Sequence, residues 1–298
     1  MRRKNKTIRY PEFQVLLRSV VLFCLVATIA FGSEATPEEI ALWQNNMMNG
    51  VKAGTQRDYT KAEDLLKKAV GVATGWGSND ARLGATFNTL GLVYKEEKKY
   101  GDAEIAFSRA MAILDAAYGS FSIDVGNVNF NLASVLAADG RYQGALPYLQ
   151  RTRDIYEKIL GRESLKTASV YCMTGDVYRN MKEFGDAETP LRECADIREK
   201  INGVENADLA DALMSLATVY VHEGRFFDAE ARLRLAKNIR ERTAGVTSPL
   251  FAEALEQHAA LLRQMKRDSD AIQEETLAAS IRRQAGSGAP SGAKQPAK

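Results

Sequence analysis

The sequence predicts an all-α fold built from six consecutive helical hairpins. Ala, Leu, Glu, Lys and Arg dominate the chain, and these residues favour helix over strand. One pattern recurs six times at intervals of 41 or 42 residues, and each copy is anchored on an alanine: Ala62, Ala103, Ala145, Ala187, Ala229 and Ala271. Such regular self-similarity is typical of proteins made of stacked repeats.

The anchor alanine lies on the second helix of each hairpin. Ten residues after it stands an aliphatic residue in every copy: Val72, Ile113, Ile155, Ile197, Ile239 and Ile281. Four residues after it stands a large apolar residue in the first five copies: Leu66, Phe107, Leu149, Leu191 and Leu233. Offsets of 4 and 10 or 11 fall on one face of a helix, so this second helix is predicted to be amphipathic.

A first helix precedes each anchor and carries a small residue of its own. The six small residues are Gly50, Gly91, Ala133, Gly175, Ala217 and Ala259. Small side chains at matched heights on two antiparallel helices allow their backbones to approach closely. The anchor alanines and these small residues together therefore predict the hairpin.

Helix stop and start signals keep the same period. Glycines are expected to end second helices in the left-handed conformation, at Gly119, Gly161, Gly203 and Gly245. Small polar residues three positions later are expected to cap the next first helix, at Ser122, Ser164, Asn206 and Ser248. At the front of the repeats, Thr36-Pro-Glu-Glu39 predicts a capping box.

Three segments carry a resemblance to a known family. GLVYKEEKKYGDAEIAF, GDVYRNMKEFGDAETPL and ATVYVHEGRFFDAEARL resemble tetratricopeptide repeats (TPR), and the 42-residue period is similar to the longer repeats of kinesin light chains. The resemblance covers roughly Trp43 to Gln284. It implies a right-handed α-solenoid of about six hairpins, whose concave groove is lined by first helices and binds peptides or partner domains. Such a fold does not identify the partner.

Residues 1–32 are predicted to be a secretory signal peptide. A basic stretch precedes an apolar run from Val20 to Phe31, and small residues follow. The run of about 12 residues is shorter than the roughly 20 that a spanning helix needs, which favours cleavage after Gly32. We therefore expect an exported protein, periplasmic or secreted and of bacterial type. An uncleaved leader that anchors the chain to a membrane is the alternative.

The remaining chain is predicted to form one repeat domain and a tail. The TPR solenoid spans 33–285, with repeats near 43–83, 84–125, 126–167, 168–209, 210–251 and 252–285. Residues 286–298 are rich in Gly, Ala, Pro and Lys and are expected to be disordered, because they offer little to bury.

Charge and cysteine content restrict the function classes. The formal charge of +2 includes a leader of +5, so the rest of the chain carries −3. Without a basic stripe, nucleic acid is not an expected partner. Beyond the leader the cysteines are Cys172 and Cys194, on the two helices of one hairpin. Two buried free thiols are the favoured interpretation, and a disulfide in an oxidising compartment is the alternative.

No catalytic constellation is found in the sequence. Phosphate-binding loops, a nucleophile elbow and paired metal ligands are all missing, and the two histidines, His222 and His258, lie on different hairpins. The sequence predicts no catalytic residue, no cofactor and no metal site. The protein is not expected to be an enzyme or to have a small-molecule substrate.

The resemblance to tetratricopeptide repeats places a peptide-binding groove on the first helices. Polar side chains there can hydrogen-bond an extended peptide backbone, and charged ones would add selectivity. For any one residue, a merely solvated helix face is the competing interpretation. The candidate residues are Asn88, Thr89, Lys95, Asn127, Asn131, Ser134, Asp176, Arg179, Asn180, Asp211, Ser215, Thr218, His222, Gln257, Arg263 and Gln264.

The predicted function is that of an exported scaffold or adaptor that binds a peptide or protein in this groove. The alternatives are a structural, self-assembling solenoid in the cell envelope and an accessory subunit of an envelope complex. The residues leave open the identity of the partner and the oligomeric state.

Overall fold

The computed structural model describes residues 35–287, with side chains through residue 285. Within that range the chain is helical apart from short connections. The predicted signal peptide, 1–32, lies outside the described residues, as does the predicted tail from residue 288 onward. None of the helices in 35–287 has both the length and the apolar character needed to cross a membrane.

The chain divides into two compact units, Met1–Gly161 and Arg162–Lys298. The described helices of unit 1 are α1 (Pro37–Thr55), α2 (Tyr59–Thr74), α3 (Ala81–Glu96), α4 (Tyr100–Tyr118), α5 (Ile123–Ala138) and α6 (Tyr142–Leu160). Those of unit 2 are α7 (Leu165–Met181), α8 (Phe184–Asn202), α9 (Ala207–His222), α10 (Phe226–Ala244), α11 (Pro249–Gln264) and α12 (Asp268–Ser287). The predicted all-α fold of six consecutive hairpins is confirmed.

The two helices of each hairpin meet through the anchor alanine and the small residue of the first helix. All six anchor alanines are 0% exposed. A Cβ atom added to Gly91 would lie 2.7 Å from Cε1 of Phe107, and one added to Gly175 would lie 2.4 Å from Cγ of Leu191. Since real Cβ atoms essentially never come so close to another heavy atom, a glycine is needed at both positions. The expected close approach of the helix backbones is confirmed.

Successive hairpins are joined within each unit. The second helix of one hairpin packs on the first helix of the next, α2 on α3 and α4 on α5 in unit 1, and α8 on α9 and α10 on α11 in unit 2. Ion pairs also connect the residue just before a second helix to the preceding second helix, across 36 or 37 residues of sequence. The pairs are Lys99 with Glu63, Arg141 with Glu104, Arg225 with Glu188 and Arg267 with Glu230.

The predicted capping residues begin the first helices. Thr36 and Glu39 form both hydrogen bonds of the capping box. The side chains that accept a backbone N–H at the starts of α5, α7, α9 and α11 belong to Ser122, Ser164, Asn206 and Ser248. The prediction that these four residues cap the first helices is confirmed.

The glycines that end four of the second helices differ from the expected conformation in one respect. Gly119, Gly161, Gly203 and Gly245 have φ of 71° to 89°, but their ψ is 156°, 161° or −177°. This region is essentially restricted to glycine, whereas the expected left-handed helical region is not. The reason is that the chain has to turn extended at once to reach the capping residue three positions later.

Cys172 on α7 and Cys194 on α8 form a disulfide, with Cα atoms 5.2 Å apart. Their side chains are 6% and 0% exposed. The favoured expectation of two free thiols is therefore wrong for the structure, and the alternative of a local disulfide is the one observed. Cys172 and Cys194 lie on the sides of α7 and α8 that face each other, so the hairpin brings their sulfur atoms together.

Candidate functional site

In unit 1, candidate residues from two first helices meet. Asn131 on α5 donates a hydrogen bond from Nδ2 to Oδ1 of Asn88 on α3, at 2.8 Å. Asn88, Lys95 and Asn127 are partly exposed, whereas Asn131 is 3% exposed and lies beneath them. We call Asn88, Lys95 and Asn127 the unit 1 surface.

Neighbouring contacts hold this surface in place. Tyr156 on α6 donates its hydroxyl hydrogen bond to Oδ1 of Asn127, at 2.7 Å. Thr89 and Ser134 are buried, at 2% and 5% exposure, and the Thr89 hydroxyl donates to the carbonyl of Ala85. These two candidates therefore contribute to packing below the surface more than to its polar exterior.

In unit 2, Asp176 connects two first helices. Its Oδ1 accepts hydrogen bonds from the Ser215 hydroxyl on α9, at 2.8 Å, and from Nη2 of Arg179 on α7, at 3.0 Å. Asp176 is 8% exposed, while Arg179 and Ser215 are half-buried and Asn180 is exposed. Because Asp176 and Arg179 neutralise each other, they offer a ligand a polar surface with little net charge. We call Arg179, Asn180 and Ser215 the unit 2 surface.

Further along α9, three candidates have different surroundings. Asp211 pairs with Arg240 of α10, whose side chain is only 5% exposed. The Thr218 hydroxyl donates to the carbonyl of Met214 within the helix. His222 is exposed and stacks on Phe184, with ring centroids 4.1 Å apart.

The last first helix, α11, carries Gln257, Arg263 and Gln264. Arg263 contacts α12 of its own hairpin, donating to Glu275 at 2.8 Å and to Asp268 at 3.1 Å. Gln257 is half-buried and Gln264 is exposed. The guanidinium of Arg263 therefore has its carboxylate partners within the hairpin.

The arrangement suits hydrogen bonding more than acid–base or metal chemistry. The amides of Asn88, Asn127 and Asn180 each combine donor and acceptor atoms. Among residues 35–287, His, Cys, Asp and Glu side chains do not gather in a group of three that could hold a metal ion. The candidates remain predictions as binding residues.

Two residues that position the candidates were not identified from the sequence. Tyr156 and Arg240 contact Asn127 and Asp211 from second helices. They occupy equivalent positions, eleven residues after the anchors Ala145 and Ala229. The available signal was a large polar side chain that recurs at this position of the repeat. Arg198, eleven residues after Ala187, is its third occurrence.

Helical hairpins that stack within each unit and carry polar first-helix surfaces define an α-helical repeat protein. Residues 124–200 and 209–250 match two family models, both described as tetratricopeptide repeat. These two segments are therefore tetratricopeptide repeats, as the sequence motifs predict.

Solved structures share this fold. BtubC (BKLC) from P. vanneervenii is 21% identical, with a TM-score of 0.64 over 79% of this chain and 94% of that one. A putative kinesin light chain from Podospora anserina with nearly identical TPR-like repeats is 18% identical, with a TM-score of 0.61 over 70% and 99%. A Rap protein complexed with competence and sporulation factor is 15% identical, with a TM-score of 0.54 over 95% and 83%. No curated protein matches the sequence significantly.

Proposed function

We propose that the chain is an exported protein-interaction scaffold that binds a peptide or protein segment on its first helices. The observation that carries the proposal is the pair of side-chain bonds, Asn131 to Asn88 and Ser215 to Asp176, that links successive first helices in each unit. These bonds align polar groups from two helices on one surface. The Rap structure in complex with competence and sporulation factor supports a binding role for such a fold.

The chemistry of the unit 1 surface fits an extended peptide. Amide side chains can donate to a backbone carbonyl and accept from a backbone N–H, so they tolerate many sequences. The ammonium group of Lys95 adds a preference for a carboxylate, since charge-assisted hydrogen bonds are the stronger ones. No catalytic step is part of this proposal.

Export is proposed on two features of the chain. The leader has the basic, apolar and small-residue order of a signal peptide, and the disulfide between Cys172 and Cys194 fits an oxidising compartment. The intact mass of the protein isolated from its host tests both. A chain that starts at Ser33 and lacks two hydrogens is expected, and a full-length chain with two free thiols would refute the export proposal.

Affinity capture from an envelope or secretory extract tests the binding surface. The chain from residue 33 is compared with a Lys95→Glu and Asn180→Lys variant, whose changes lie at positions that bond no other element in the structure. The matched control carries Asp154→Lys and Arg234→Glu, on the second helices α6 and α10. We expect a protein that is captured by the parent chain and the control and lost with the first-helix variant. A protein captured equally by all three would contradict the proposal.

A further inference from the structure

Unit 1 has an apolar cleft on the side of its second helices. The cleft lies between α2 and α4, with α3 as its floor, and has a volume of about 250 Å³. Val70 of α2 and Ile105 of α4 form its walls, and Phe87 and Leu90 of α3 lie at its base. Because it is bounded by second helices, it is distinct from the unit 1 surface.

The repeat pattern does not require an apolar side chain at the position of Ile105. Its side chain is 57% exposed, although it is a branched aliphatic residue on a regular helix. The equivalent position, two residues after each anchor alanine, is otherwise occupied by Asp64, Pro147, Thr189, Ala231 and Gln273. The fold therefore accepts small or polar residues there, and the exposed isoleucine needs another explanation.

Within unit 1, the aromatic floor is also specific to this cleft. Phe87, four residues before the small residue Gly91, is partly exposed at the base of the cleft. At the equivalent position of the next hairpin stands Asn129, which is buried and donates to the carbonyl of Val125. Within unit 1, an apolar wall and an aromatic floor thus coincide at this one cleft among the described residues.

A positive charge lies at one end of the cleft. The guanidinium carbon of Arg109 is 5.5 Å from the ring centroid of Phe87, and its side chain is exposed. The carboxylate of Asp102 also lines the cleft, but Arg109 is not a member of any ion pair found among residues 35–285. Lys67, which also lines the cleft, is bonded to Glu63 at 2.7 Å. Arg109 is therefore the cation that remains available to a ligand.

We propose that this cleft docks a segment of a partner protein that inserts one aromatic or branched aliphatic side chain and places a carboxylate on Arg109. The volume is below the roughly 300 to 1,000 Å³ of typical small-molecule pockets, so a side chain fits better than a free ligand. Interface hot spots are enriched in aromatic residues and Arg and lie in well-packed, desolvated pockets, which fits a side chain inserted beside Arg109. The site adds a second interaction surface to the one on the first helices.

Selection of a displayed random library of short peptides on the full chain tests the proposal. We expect enriched peptides that carry an aromatic or branched aliphatic residue within one helical turn of an Asp or Glu. Their measured Kd is expected to rise about tenfold or more with Ile105→Asp and with Arg109→Glu, and less with Arg109→Lys. Thr189→Asp, at the position of unit 2 equivalent to Ile105, should leave the Kd unchanged.

Other outcomes overturn the assignment. The proposal is wrong if the affinity of the selected peptides is unchanged by Ile105→Asp and Arg109→Glu. If Lys95→Glu weakens the binding of those same peptides, the result supports the first-helix surface alone. If Ile105→Asp instead lowers the mass of the chain in sedimentation, the occupant is a second copy. Fluorescence of Trp43 and Trp76, both in unit 1, shows in each variant that the unit remains folded.

Discussion

At the scale of single residues, Gly175 shows how tightly a hairpin is packed. A Cβ at this position would meet Cγ of Leu191 at 2.4 Å and the backbone nitrogen of Leu191 at 3.1 Å. A side chain can rotate away from a new methyl group, but a backbone atom cannot do so without moving the helix. The close approach of α7 and α8 therefore depends on this glycine.

Gly175→Ala is expected to destabilise the protein by about 1 to 2 kcal/mol, because overpacking outweighs the gain in helix propensity. Gly185→Ala on α8 is the matched control, since nothing lies within 4 Å of a Cβ there. That change is expected to stabilise the protein by roughly 0.5 to 1 kcal/mol. Urea unfolding measures both, and a stabilising effect of Gly175→Ala would contradict the packing argument.

Glu274 on α12 joins three helices of unit 2. Its Oε2 lies 2.8 Å from Nδ1 of His258 on α11, and its Oε1 accepts from Lys237 on α10 at 2.5 Å. Burial acts to raise the pKa of Glu274, but the hydrogen bonds from His258 and Lys237 outweigh it and lower the pKa below 4.5. The ionised carboxylate therefore stabilises the folded state.

The stabilisation by Glu274 is expected to be present above about pH 4.5 and to be lost as the pH falls towards its lower folded-state pKa. Glu274→Gln should cost roughly 1 to 3 kcal/mol at pH 7, and the cost should shrink in acid. Urea unfolding at pH 7 and pH 3.5 measures this. Glu275→Gln, on the exposed neighbour, is expected to have a smaller effect, and an equal cost of Glu274→Gln at both pH values would refute the assignment.

At the scale of elements, the starts of the first helices depend on one capping side chain each. The Ser164 hydroxyl accepts a hydrogen bond from the backbone N–H of Thr167 at 3.1 Å. Four of the second helices begin differently, since at Lys99, Arg141, Glu183 and Arg225 no side-chain cap is made, whereas α2 is capped by Asp58. Their starts are supported by packing against the preceding first helix.

Ser164→Ala is expected to destabilise the protein by about 1 kcal/mol, because it leaves a helix N-terminal N–H without its partner. Ser164→Asp should retain most of the stability, since aspartate is an equally good cap. Chemical denaturation followed by circular dichroism measures the two variants. Equal losses for alanine and aspartate would show that the hydroxyl acts other than as a cap.

The disulfide of the fourth hairpin closes a short loop, with a sequence separation of 22 residues between Cys172 and Cys194. On the chain-entropy model, reduction is expected to cost about 3 kcal/mol. Urea unfolding with and without reductant measures the loss. A Cys172→Ala and Cys194→Ala double variant serves as the control, because its stability should not respond to reductant, and an unchanged midpoint of the parent chain would contradict a stabilising bond.

The elements were predictable because their signals are local and repeated six times. Helix faces, the small positions and the caps at Ser122, Ser164, Asn206 and Ser248 follow from spacing alone. The ion pairs between successive hairpins, such as Arg267 with Glu230, join residues 37 apart, and no local rule selects them before the hairpins are stacked. The disulfide was likewise not predicted, since two free thiols were favoured and spacing cannot show whether two facing thiols are oxidised.

At the scale of the whole molecule, the period of the sequence determines the fold class but only part of the site. The column of first-helix positions correctly brings Asn88 and Asn131 together in unit 1. It does not reveal that Asp176 is neutralised by Arg179 or that Arg263 is held by Glu275, because those partners depend on side-chain conformation. It also does not reveal the cleft at Ile105, since that cleft departs from the repeat and a periodic analysis averages departures away.

Binding on the first helices is tested most directly by photo-crosslinking in the host. A photoreactive residue is introduced at Lys95 or Asn180 on first helices, or at Asp154 or Arg234 on second helices, away from the cleft of unit 1. Crosslinks to a specific protein from Lys95 and Asn180, and none from Asp154 and Arg234, are the predicted result. Crosslinks from the second-helix positions alone, or equally from all four, would contradict a scaffold that binds through its first helices.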